Sequence, residues 1–202
     1  MDQLADEKKP RRTSLTSDAF AAIAVTFELL LYPAAVALAW LWGGPEVPPA
    51  QLNADHARLG VLYTLPPLAF LALLLWTPLR NVRPLRRIHL ILKRSFGRAI
   101  SGLQVWQVLA ISLAAGVGEE ALFRGALQPR VGLYATSAIF GAVHWITPTY
   151  FVFAVGMGLY LGWIYENSQE NLLVPIIVHA LYDALALLAL RSQLRKKRPV
   201  SG

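Results

Sequence analysis

The chain has 202 residues, of which 55% are hydrophobic and only 15% charged, whereas a soluble domain carries about a quarter charged residues. With its charges clustered and long apolar runs between them, this composition excludes a soluble globular enzyme. It points to one polytopic α-helical membrane domain, with room for about six spans of about 20 residues each. Cysteine is absent, which excludes a disulfide scaffold, a thiolate nucleophile and a cysteine-held zinc site.

The net charge of +7 is not a nucleic-acid signal, because the basic residues fall in three blocks that flank apolar runs. The blocks are Lys8 to Arg12, Arg80 to Arg98 and Arg191 to Arg198. Such blocks mark cytoplasmic loops and contacts with lipid headgroups. Membrane lipids are therefore the expected partners, and nucleic acid is not.

Residues 1–17 read as a disordered cytosolic tail. Residues 19–42 read as the first span, kinked at Pro33, with Trp40 and Trp42 at an interface. No small-residue cleavage site follows a short apolar region, so this run reads as a retained span. Glu28 lies inside it, and faces the polar cavity or serves as a hydrogen-bonded structural carboxylate. Residues 43–57 carry acids and no Lys or Arg and read as an external loop. Residues 59–79 form the second span, interrupted at Pro66 and Pro67. Residues 80–98 are strongly basic and partly amphipathic, a stretch lying on the membrane, with His89 as a surface histidine. Four further spans are expected at about 103–127, 131–147, 149–166 and 171–190, with breaks at Pro129, Pro148 and the polar patch from Glu166 to Asn171. The basic tail 192–202 follows. The organisation is thus a single helical domain over 18–191 between two cytosolic tails, in an all-α bundle of about six transmembrane helices with a polar cavity. An even span count puts both termini in the cytoplasm, and the compact build suggests a prokaryotic inner membrane. Gly156, Gly158 and Gly162 allow close helix contact.

Three groups of ionisable side chains interrupt the apolar half. Glu119, Glu120 and Arg124 lie within six positions, where each charge at bilayer depth costs about 3 kcal/mol on insertion scales. Glu120 and Arg124 are one turn apart and pair on a shared face, while Glu119 points about 100° away. Phe140 and His144 are one turn apart on the next helix, and His179 and Asp183 one turn apart on the last. Taken singly, a membrane histidine is most often an interhelical hydrogen bonder, and Glu120–Arg124 a structural ion pair. Taken together, buried ionisable groups need partners, and gathering them in one cavity satisfies that need most cheaply. Ser112 and Ser137 have no base at fixed spacing, so a serine nucleophile is poorly supported. A buried carboxylate with histidines suits activation of water, and histidine N–H groups suit an oxyanion. Two histidines with carboxylates also match a zinc site, although the His-Glu-x-x-His motif is absent.

The run Glu119-Glu120-Ala121-Leu122-Phe123-Arg124, the run Phe140 to His144 and the run His179 to Asp183 together resemble the three motifs of the CPBP intramembrane proteases. That group holds type II CAAX prenyl endopeptidases and bacteriocin-processing and immunity proteins, and the resemblance covers about residues 100–190. It implies an intramembrane endopeptidase acting on a peptide or protein near the membrane. By resemblance, Glu119 activates water with the help of His144, Glu120 and Arg124 shape and charge the site, and His179 and residue 183 bind the oxyanion. Asp183 departs from the asparagine of eukaryotic-type members. It stays protonated, or orients His179, or joins Glu119, His144 and His179 around a divalent metal such as zinc. The metal-independent version is the favoured one. Two other readings compete: a non-catalytic protein of the same fold serving bacteriocin immunity or scaffolding, and, more weakly, a proton-coupled carrier.

Overall fold

The computed structural model describes residues 15–43, 46–75 and 82–196. Residues 1–14, most of the expected N-terminal tail, lie outside them, as do 76–81 and 197–202. Every regular element among the described residues is helical: α1 (Ser17–Leu41), α2 (Ala54–Leu75), α3 (Arg83–Gly102), α4 (Val105–Glu120), a π-helical segment (Ala121–Leu127), α5 (Gln128–Val143), α6 (Pro148–Asn167) and α7 (Leu173–Lys196).

Local chemistry sets several of the starts. Thr16 caps α1, its hydroxyl accepting from Ala19 N at 3.2 Å. Asn53 does the same for α2, accepting from Asp55 N at 2.7 Å, so that helix begins inside the stretch expected as loop 43–57. Gln104 and Gln107 form a reciprocal capping box at the start of α4. Gln107 also donates to Asp18 at 2.8 Å, tying α4 to α1.

Four stretches are long and apolar enough to cross a membrane, namely Ser17–Leu41, Ala54–Leu75, Val105–Val143 and Leu173–Arg195. Large apolar side chains such as Ile23, Phe27 and Leu30 on α1 are exposed, as a lipid-facing surface requires. The chain is an integral membrane protein. The break expected at Pro129 falls instead at Gly132, whose φ of 80° only glycine adopts readily. Pro129 sits in the first turn of α5, where its missing N–H costs nothing. Residues 133–143 beyond the kink are too few to cross about 30 Å of hydrocarbon at about 1.5 Å per residue. That arm packs on α6 instead.

The centre of the bundle is α4, held between α1 and α7. Two glycines on opposite sides permit this. Gly116 faces the backbone of Ile176 on α7, and Gly118 faces the backbone carbonyl of Glu28 on α1. A Cβ at Gly118 would collide with that carbonyl, which cannot swing aside as a side chain can. Gly118→Ala is therefore expected to destabilise the bundle by about 1–3 kcal/mol, read as a lowered unfolding midpoint in detergent. An unchanged midpoint would show that α1 sits farther from α4.

Candidate active site

Where α4 passes into the π-helical segment, Glu119 and Glu120 end the one and Arg124 lies in the other. Such widened turns are rare and occur frequently at functional sites. The two glutamates face different partners. Glu120 and Arg124 are both fully buried, with Arg124 Nη1 donating to Glu120 Oε1 at 2.9 Å. Arg124 Nη2 donates across to the Gly158 carbonyl on α6 at 3.0 Å, and the guanidinium lies 5.0 Å from the centre of the Phe140 ring. His179 on α7 brings Nδ1 to 2.7 Å from the same Glu120 oxygen. One carboxylate oxygen thus joins Arg124 to α7, and Arg124 carries the link on to α6.

Glu119 turns the other way, towards His144, with 3.5 Å between Oε1 and Nε2. His144 follows the last turn of α5, and its Nδ1 lies 2.8 Å from the Phe140 carbonyl. A carbonyl only accepts, so Nδ1 carries a proton and Nε2 is the nitrogen presented to Glu119. The Phe140 ring stacks on His144 at 4.3 Å between centres and meets His179 edge-on at 6.3 Å. Phe140 is the apolar spacer that sets the two histidines apart.

Asp183 stands one turn beyond His179, its Oδ2 3.4 Å from Nε2. Exposure rises outward from the buried pair, to 28% of the His144 side chain and 38% of the Asp183 side chain. The six residues singled out from sequence thus fall in two groups, Glu119–His144 and Arg124–Glu120–His179–Asp183, which meet at the adjacent glutamates and across the Phe140 ring. The zinc alternative finds less support in the donor arrangement. Both nitrogens of His179 face carboxylates, and among the described residues no three His, Asp or Glu side chains stand where one ion could take them all.

A cavity of about 740 Å³ opens beside Asp183. Ser112, Tyr150, Phe70 and several leucines line it, together with Arg86 and His89 of α3. His89 is therefore a cavity residue, not the surface histidine that its basic surroundings suggested. Amphipathic α3 places it there by turning its apolar face inward against α7.

Sequence reasoning overlooked Gln128. It lies four residues after Arg124 and repeats its reach one turn on, donating to the Gly162 carbonyl at 3.1 Å and to Glu166 at 2.9 Å. The four-residue spacing from Arg124 was the available signal. Gly158 and Gly162, expected only to let helices approach, thus also accept from these two side chains, while Gly156 faces open space.

Residues 101–185 match the family described as Type II CAAX prenyl endopeptidase Rce1-like. The chain is also similar to the uncharacterized protein YpbD of Bacillus subtilis (strain 168), with 34% identity over 84 residues. That similarity spans 39% of this chain and 42% of the relative, less than half of either. No solved structure matches the chain. All three motifs fall within the matched stretch, so the chain's similarity to that family rests on the same residues that form the site.

Proposed function

We propose that the protein is an intramembrane endopeptidase that hydrolyses a peptide bond of a membrane-associated substrate with water activated by Glu119 and His144. The observation that carries this reading is the division of labour between two adjacent glutamates. Glu120 is locked at 0% exposure between Arg124 and His179, whereas Glu119 pairs with His144, at a distance too long for a strong hydrogen bond. A water held between Glu119 Oε1 and His144 Nε2 meets two acceptors, which polarise its O–H bonds and leave an oxygen lone pair to attack. Glu119 takes the proton, the water oxygen bonds the carbonyl carbon, and the proton passes to the nitrogen as the C–N bond breaks. His179 supplies an N–H from Nε2 to the developing oxyanion. Asp183, within reach of that nitrogen, orients the ring rather than donating to the oxyanion itself.

The cavity beside Asp183 gives the substrate its path. Its walls are mainly apolar, and its outer side runs along α3, which carries Arg83, Arg86, Arg87, Lys93, Arg94 and Arg98. Positive loops stay in the cytoplasm, so the site is reached from the cytoplasmic leaflet, with both termini on that side of a prokaryotic inner membrane. The substrate is an apolar peptide segment.

The test is cleavage of membrane-anchored peptides by the full chain in liposomes, read by mass spectrometry beside a Glu119→Gln control. Products from the wild type alone support the reading. Products from both or from neither overturn it, and neither would favour a scaffold of the same fold. Since no step needs a metal, turnover is expected to survive millimolar chelator with less than a twofold change. Loss on chelation and recovery with zinc would replace the carboxylate–histidine mechanism.

A further inference from the structure

Outside the three motifs, one more acid reaches this centre. Glu28 lies in the middle of α1, and its backbone carbonyl is the group packed against Gly118, the residue before Glu119. Its side chain is half-buried, and its Oε2 is buried without a hydrogen-bond partner. Glu119 Oε2 is in the same condition. So is the second oxygen of Glu120, but that residue already has Arg124 and His179 on its first.

Charge counting selects Glu28. Its field is dominated by Glu119 from α4, His144 from α5, and His179 and Asp183 from α7. The π-helical segment adds the Glu120–Arg124 pair nearby, and α3 meets α1 only near Ser17 and Phe20, two turns away. The site therefore holds four carboxyls, Glu28, Glu119, Glu120 and Asp183, against three groups able to carry positive charge, Arg124, His144 and His179. Each of the other carboxyls is paired with an arginine or a histidine, and Glu28 makes no ion pair among the described residues. A low-dielectric interior does not hold an unpaired carboxylate beside a second one.

We infer that Glu28 is a positioning residue of the site, a protonated carboxylic acid whose O–H donates to Glu119 Oε2 and aims Oε1 at His144 and the water. One proton satisfies both orphaned oxygens. Glu28 keeps that proton through the cycle, so the hydrolytic step needs no further reactant. The effect on turnover rests on the function proposed above, whereas the shared proton does not.

Infrared spectroscopy of the full chain in lipid at neutral pH tests the proton directly. The wild type is expected to show the C=O stretch of a protonated carboxylic acid, shifted in heavy water, and Glu28→Gln to lack it. No band in the wild type, or the same band in Glu28→Gln, overturns the inference. Kinetics separates donation from bulk. A glutamine still donates, so E28Q is expected to stay within about threefold of the wild type. Glu28→Leu fills the space without a donor and is expected to lose about tenfold in kcat at unchanged KM, the size of one hydrogen bond; Glu28→Met serves if that variant does not accumulate. Equal losses in the donor and non-donor variants, or none in either, overturn it. Band loss without any peptidase activity would leave the pair standing and remove the protease reading, while cleavage without the band removes only the pair.

Discussion

Replacing Glu119 by glutamine is expected to lower kcat by at least about 10²-fold and leave the fold intact, since a general base contributes about 10²–10⁴-fold. The amide matches the carboxylate in size but cannot take a proton from water. The one ion pair of Glu119 among the described residues is with the partly open His144, at 3.5 Å, so less stability rests on it than on Glu120. The neighbouring Glu120→Gln should behave differently. Glu120 accepts from Arg124 at 2.9 Å and has His179 at 2.7 Å, so its loss should lower stability along with turnover. The measurement is initial cleavage rate in liposomes beside the unfolding midpoint in detergent, for both variants. A Glu119→Gln protein that keeps more than a tenth of the rate would place the base elsewhere. Equal destabilisation in the two variants would undo the division of labour between the adjacent acids.

The membrane class and the site were legible because both follow from rules of spacing and solvation. Long apolar runs can only be helices in lipid, and charges at one-turn spacing inside them need one another. Hence Glu120–Arg124, His179–Asp183 and the meeting of all six site residues were readable as letters. What depended on backbone detail was not. The π-helical turn after Glu120 has no sequence mark in Ala121–Leu127; it accompanies the bonds of Arg124 and Gln128 to two carbonyls on α6, which are distant in sequence. Gly132 was passed over for Pro129 because proline is the louder breaker, although a proline in the first turn breaks nothing. The place of Glu28 depended on the crossing of α1 and α4 at Gly118, a contact between residues ninety positions apart.

The largest stability effect expected of this protein is at Arg124. The guanidinium is fully buried, and its charge is met by Glu120, by the Gly158 carbonyl at 3.0 Å and by the face of Phe140. Arg124→Met keeps much of the volume and removes the charge. It leaves the Glu120 carboxylate with His179 alone, and breaking a buried pair from one side costs about 3–5 kcal/mol. The loss should exceed that of Gly118→Ala, because repacking relieves a steric contact but cannot hydrate a carboxylate enclosed between α4, α6 and α7. Removing both charges should then recover stability. The double variant Glu120→Gln, Arg124→Met is expected to unfold at higher denaturant than Arg124→Met alone, with a coupling of about 1–3 kcal/mol. Equilibrium unfolding of the four proteins in one detergent measures it. Additive losses would mean that Arg124 works through Gly158 and Phe140, fastening α6 to the centre, and that Glu120 is held by His179 alone.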